Sequence, residues 1–214
     1  MAKIGIMGGT FNPIHMGHMQ IARAAYEQFQ LDEVWFIPNH IPAYKSDHEL
    51  ISGEMRLAMV QLAIQEEPHF KVSDFEINRD GKTYTYETMS LLKQQHPKDD
   101  FYFILGADSL YYFDKWVHPE IIVENADILA ACRNGRTLEE MTIEINRLNE
   151  MFGKEAIFLI NCPELPCSSS EIREQVRKLH EQSEENEEFT HMLEQQVPAP
   201  VLAYIVEQKL YIKL

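Results

Sequence analysis

Positive charge is scarce in this chain: 19 lysines and arginines stand against 34 aspartates and glutamates in 214 residues, a formal net charge of −15. Such a surface repels polyanions, which excludes a broad DNA- or RNA-wrapping face and an electrostatic grip on acidic membrane. A small phosphorylated ligand remains compatible, because it needs only a local set of basic side chains and backbone N–H groups. Cysteine is nearly absent. The three present, Cys132, Cys162 and Cys167, form no C-x-x-C pair and are an odd number, so a disulfide framework and a cysteine-rich zinc site are both unsupported and a reducing cytoplasm fits. Long apolar runs are missing too. The stretch at 126–132 falls far short of the roughly 18 to 20 residues of a membrane helix, and the short N-terminal apolar run breaks at once into a glycine turn, unlike a secretory signal.

Of only nine glycines, four (Gly5, Gly8, Gly9 and Gly17) fall in the first 17 residues. The remaining composition, 45% hydrophobic and 25% charged, is that of an ordinary globular protein. A chain of this length is expected to form one domain over residues 1–214 and to bury about 70% of its unfolded surface.

Hydrophobic period alternates along the chain. Short apolar runs at 3–7, 33–38, 70–75, 101–105, 127–132 and 156–160 read as strands. Between the first two, Ala22, Ala25, Tyr26 and Phe29 recur at helical spacing; Met55, Met59, Leu62 and Ala63 do so after a candidate Ser52 cap. Further helices are predicted at 85–95, 137–151, 170–180 and 199–208, the last with Pro198 and Pro200 in its first turn. The acidic stretch 180–188 reads as a solvated helix end or connection. The pattern predicts an α/β fold: a Rossmann-like, doubly wound parallel sheet with helices on both faces and a helical C-terminal extension from about residue 170. The least periodic segments, 39–51 and 161–169, come after strand ends, where such sheets bind ligands.

The early glycines concentrate backbone freedom at the end of the first strand, where a ligand can approach the chain closely. Gly8-Gly9-Thr10-Phe11 lacks the G-x-G-x-x-G register, and no G-x-x-x-x-G-K-[ST] occurs, so an NAD-type oxidoreductase and a P-loop phosphatase are unsupported. The turn leads instead into His15-Met16-Gly17-His18, at the opening of a helix whose unpaired N–H groups and dipole favour an anion. Two histidines three apart share a helix face. Alone, the pair could be surface histidines or half of a metal site; after a glycine turn it is suited to donating hydrogen bonds to phosphoryl oxygens during displacement at phosphorus.

GGTFNPIHMGH resembles the H-x-G-H signature of the nucleotidylyltransferase superfamily, with His15, Gly17 and His18 in the expected places. Cys167-Ser168-Ser169-Ser170-Glu171-Ile172-Arg173 resembles its I-S-S-T-x-I-R segment, with Cys for Ile and Ser for Thr. Read from the residues alone, that second segment is a capped helix start with an arginine one turn in, a second grip for an anion. Over its whole length the chain is similar to the bacterial nicotinate mononucleotide adenylyltransferases. The resemblance implies transfer of AMP from ATP to nicotinate mononucleotide, with Mg²⁺ accompanying ATP. His15, His18 and Arg173 would be catalytic. ATP would meet Gly8, Gly9, Thr10, Phe11, His15, His18, Gly106, Asp108, Arg133, Ser168, Ser169, Ile172 and Arg173. Lys45, in a segment resembling P-P-H-K, would meet the acceptor's phosphate; Thr85 and Tyr86, in one resembling S-Y-T-x-x-T, would receive the pyridine carboxylate. Trp116, with Tyr112 near it, would stack on the nicotinate ring, and Asp108 would bind ribose or sit near the metal. Without the resemblance, Lys45 and Arg133 read as surface cations, Thr85 and Asp108 as helix caps, and Trp116 as core. The rival expectations are the same chemistry on nicotinamide mononucleotide or phosphopantetheine, and a non-catalytic nucleotide-binding regulator. No nucleic acid or membrane partner is expected; a homodimer is compatible.

Overall fold

A computed structural model describes residues 1–42, 50–79, 81–132, 136–163, 166–181 and 187–212. Its main sheet has six strands, all parallel: β1 (Lys3–Gly9), β2 (Glu33–Pro38), β4 (Phe70–Val72), β6 (Asp100–Gly106), β7 (Asp127–Ala131) and β8 (Ile157–Ile160). Two-residue strands β3 (Ile41–Pro42) and β5 (Lys82–Thr83) pair separately, also in parallel. The main order, β4-β2-β1-β6-β7-β8, is that of a doubly wound Rossmann-like sheet. Connections run outward from β1 in one direction and from β6 in the other. The two central strands, paired from Lys3↔Asp100 to Ile6↔Phe103, therefore diverge at their carboxyl ends into a crevice.

Strand periodicity divides the core between the two faces. Met7, Val34, Phe36, Ile104 and Leu129 belong to one buried cluster; Ile4, Ile6, Phe103, Leu105 and Ile128 belong to the other. Both faces are covered, which is why these strands read as nearly continuous apolar runs. The first cluster also takes residues from α1 (Met16–Phe29), α2 (Gly53–Ala63), α7 (Ser169–Glu181), α8 (Glu187–Gln196) and α9 (Ala199–Glu207). The second takes residues from α3 (Thr85–Gln95), α4 (Ala107–Leu110), α5 (Pro119–Asn125) and α6 (Leu138–Phe152). The C-terminal helices thus share a core with α1.

Some local expectations need correction. The strand expected over 70–75 ends at Val72, although the Ser73 N–H still donates to the Phe36 carbonyl at 2.9 Å. The stripe expected on α2 is offset: Arg56, Met59 and Val60 are its buried residues, while Met55, Leu62 and Ala63 pack half-buried. Of the acidic stretch 180–188, His180 and Glu181 end α7 and Glu187 and Glu188 begin α8, while 182–186 lie outside the described residues. Thr85 and Asp108 are not helix caps; Tyr84 and Gly106 hold those positions.

Candidate active site at the carboxyl ends of the central strands

The crevice between β1 and β6 opens into a cleft of about 760 Å³, a size that suits a small-molecule ligand. The glycine turn, His18, the start of α3, and the segment from Gly106 to Val117 line it. Gly9 permits a close approach: a Cβ there would stand 3.0 Å from the Phe11 ring. Phe11 is buried at 2% exposure with φ of 49°, a left-handed backbone unusual for a bulky residue. Its ring meets His18 edge-on at 5.1 Å and Phe36 at 5.9 Å, so aromatic packing secures the turn.

From that turn the chain passes through the cis Asn12–Pro13 bond to His15, the N-cap of α1. The backbone N–H of His15 donates to Nδ1 of His18 at 3.3 Å, one half of a capping arrangement. With Nδ1 accepting, the proton of a neutral His18 ring sits on Nε2, and this ring lines the cleft. His15 differs. It is 1% exposed and lies beside the His18 ring, centroids 3.7 Å apart and planes 33° apart. Gly17 makes that position available: a Cβ there would come within 3.1 Å of the His15 ring.

The distant serine-arginine segment arrives at the same loop. Ser168 Oγ accepts from the Glu171 N–H at 3.2 Å and caps α7. Ser169 Oγ donates to the Pro13 carbonyl at 2.9 Å, and Arg173 Nη1 donates to the Asn12 carbonyl at 2.9 Å. From a third direction Tyr211 Oη donates to Asn12 Oδ1 at 3.0 Å. Loop carbonyls at Asn12 and Pro13 are thus held by side chains from α7. Ser169 also lines the cleft, whereas Arg173 is buried behind the loop and the Ile172 side chain is wholly in the core.

The other wall carries the remaining candidates. Gly106 ends β6, and Asp108 stands exposed on the short α4 at the cleft. Trp116 is half-buried against Phe113, centroids 5.4 Å apart, and edge-on to Phe103 at 6.1 Å; Tyr112 is 62% exposed at the rim. Thr85 lines the cleft at the first turn of α3. Tyr86 is turned away: its hydroxyl donates to Glu87 at 3.0 Å, a bond that raises its pKa, and its ring packs on His118. Lys45 and Arg133 lie outside the described residues.

Among the lining residues that sequence reasoning misses are Thr83, Glu76, Thr88 and Asn39. Thr83 Oγ1 is buried without a hydrogen-bond partner among the described residues, a group that a polar ligand atom would satisfy. Its signal was present two residues before Thr85. Glu76, only 8% exposed, accepts from Thr88 Oγ1 at 2.7 Å, and Asn39 Nδ2 donates to Thr10 Oγ1 at 3.3 Å. None of these has a local sequence signature. Asp108 is a single carboxylate, and the described residues contain no group of three or more His, Cys, Asp or Glu able to hold a metal ion. With Asp108 and the buried Glu76, the described carboxylates at the cleft are too few to enclose a metal ion by themselves.

Known proteins resemble this chain in sequence and, for solved structures, in architecture. A family profile described as cytidylyltransferase-like matches residues 6–175. A probable nicotinate-nucleotide adenylyltransferase of Lachnoclostridium phytofermentans is 43% identical over 212 residues, 99% of this chain and all of that protein. Its counterpart in Carboxydothermus hydrogenoformans is 37% identical over 210 residues, 98% of each. Among solved structures, a Plasmodium falciparum nicotinic acid mononucleotide adenylyltransferase complexed with NaAD superposes with a TM-score of 0.78 at 23% identity, over 99% of this chain and 98% of that one.

Proposed function

Because the chain belongs to the nicotinate-nucleotide adenylyltransferase family, we propose that its cleft transfers the AMP moiety of ATP to nicotinate mononucleotide, yielding nicotinate adenine dinucleotide and pyrophosphate. The observation that carries this reading is the meeting of two segments some 150 residues apart. Ser169 and Arg173 close on the carbonyls of Pro13 and Asn12, beside His18 and at the sheet's switch point.

Charge and position dictate the chemistry. An oxygen of the acceptor's phosphate attacks the α-phosphorus of ATP while the bond from that phosphorus to the β-phosphate bridging oxygen breaks, and pyrophosphate leaves with the electron pair. A phosphate oxygen is already ionised at neutral pH, so no protein base and no covalent intermediate is needed. Two anions must still be brought together. The amino end of α1 opposes their repulsion, Arg173 adds charge from behind the loop, and Lys45 and Arg133 serve the acceptor phosphate and the triphosphate as the resemblance implies. His18 donates from Nε2 to the α-phosphate as charge builds there; His15 backs its ring and fixes ATP. Ser168, the Ile172 backbone and the Gly8–Phe11 turn hold the nucleotide, and Asp108 takes the ribose or a water of the metal. Magnesium bound to the ATP phosphates supplies further charge neutralisation. Trp116 and Tyr112 take the pyridine ring, and Thr85 with its neighbouring backbone takes the carboxylate at the amino end of α3.

Residues 1–214 would act as one domain, in the cytoplasm; no helix among the described residues is long and apolar enough to cross a membrane. A homodimer is the assembly we would test first. Pyrophosphate release measured with nicotinate mononucleotide, nicotinamide mononucleotide and phosphopantetheine in turn tests the acceptor. Preference for the first is expected. Preference for either of the others would replace the acceptor, and ATP binding with no release would make the protein a regulator.

A further inference from the structure

Arg56 is among the largest fully buried side chains of the protein, at 1% exposure. It occupies the first turns of α2, where the helix dipole opposes a cation. Its guanidinium donates to four oxygens: the carbonyls of Thr10 (2.8 Å), His40 (2.9 Å) and Ile51 (3.3 Å), and Oδ1 of Asn39 (3.3 Å). All four are neutral. Among the described residues no carboxylate is in ion-pair contact with it. Burial pulls its pKa below the ordinary arginine value, yet arginine keeps its charge in proteins. Among the described residues Glu54 acts on it electrostatically without an ion-pair contact, so this buried cation is only weakly matched by opposite charge, an expensive arrangement.

The acceptors explain its presence. Thr10 belongs to the glycine turn, Asn39 and His40 to the chain leaving β2, and Thr10 and Asn39 both line the cleft. Asn39 joins the two further, its N–H donating to the Gly9 carbonyl at 2.9 Å and its amide to the Thr10 hydroxyl. Arg56 sits one residue behind this pair. Past His40 the chain enters the segment that carries Lys45. A single planar fork therefore sets the turn proposed for ATP against the stem of the segment proposed for the acceptor's phosphate.

We infer that Arg56 is a positioning residue that holds the glycine turn and the chain leaving β2 in one frame, and that its weakly matched charge is complemented by the phosphates when they bind. This inference rests on the adenylyl-transfer reading. Arg56→Lys keeps a charge but loses the fork; Arg56→Met removes the charge while keeping length and apolar bulk. For folded Arg56→Lys, pyrophosphate release should fall in kcat by roughly 10- to 100-fold, since small displacements of reacting groups cost that much, with smaller changes in KM. For Arg56→Met, KM for both substrates should rise about tenfold in addition, and the rise in melting temperature on adding ATP should shrink. A merely structural role would lower the melting temperature of each variant while leaving kcat per folded enzyme and the ATP-induced shift intact. That result, or failure of both variants to fold, overturns the inference. If the wild type releases no pyrophosphate, the adenylyl-transfer reading fails, and the ATP-induced shift still decides whether the charge of Arg56 serves bound phosphate.

Discussion

In the mechanism proposed above the two nitrogens of His18 have separate tasks, and two amide substitutions separate them. Nδ1 accepts the His15 N–H at 3.3 Å at the start of α1, which puts the proton of a neutral ring on Nε2, the nitrogen proposed to donate to substrate. In His18→Asn the side-chain oxygen can take the place of Nδ1, so the cap survives and the donor is lost. In His18→Gln the longer amide reaches the position of Nε2 and restores a donor, but the cap loses its acceptor. Loss of such a cap costs about 1 kcal/mol, and the long contact here points to the lower end of that range. In a protein of this size that corresponds to roughly 2–4 °C of melting temperature. Loss of a donor aimed at charge developing in a transition state costs about 10²- to 10³-fold in turnover. Thermal melting should therefore rank wild type and His18→Asn above His18→Gln, whereas kcat for pyrophosphate release should rank His18→Gln above His18→Asn. His18→Ala should lose both properties, with its turnover near that of His18→Asn. Equal turnover in the two amide variants, or turnover in His18→Ala within a few-fold of wild type, would refute the assignment of the donor to Nε2.

Other expectations rest on single contacts. Gly17→Ala would drive a methyl group into the His15 ring at 3.1 Å; it should lower kcat, measured by pyrophosphate release, even though alanine favours a helix. Tyr211→Phe removes only the hydroxyl that reaches Asn12, and calorimetry should show a loss of about 1 kcal/mol with a rise in KM for ATP. Trp116→Ala should raise KM for nicotinate mononucleotide by roughly tenfold while leaving KM for ATP nearly unchanged, as expected for one aromatic contact. Asp127 is a pH probe outside the cleft. Burial raises its pKa above the ordinary carboxylate value despite Lys154 at 3.6 Å, so its charged form opposes folding at neutral pH and that penalty fades as pH falls through the raised value. Asp127→Asn should melt higher than wild type at pH 7, with the gap closing in acid.

Six parallel strands were legible because two-sided burial imprints itself as apolar runs of fixed length, and α3 begins and ends at the expected residues, 85 and 95. The two-residue strands β3 and β5 were not, since two residues carry no period; they form only because the chain after β2 passes beside the approach to α3. The offset stripe on α2 has a similar origin. Arginine reads as a surface residue unless the loops that accept its hydrogen bonds are known, and those loops come from positions 10, 39–40 and 51. At the site, backbone needs were visible as glycines and serines, whereas the burial of His15 and the orphan hydroxyl of Thr83 depend on neighbours far along the chain.

The hydroxyl of Tyr211 lies 199 positions downstream of the asparagine that it holds. During synthesis the amino-terminal strand and helix emerge first, but the bend between them waits for its last partner until residue 211 has cleared the ribosomal tunnel. A nascent chain stalled before that point would carry the residues that line the cleft yet lack this anchor. Competence to bind ATP tightly should consequently arrive late and abruptly, as the carboxyl-terminal segment docks.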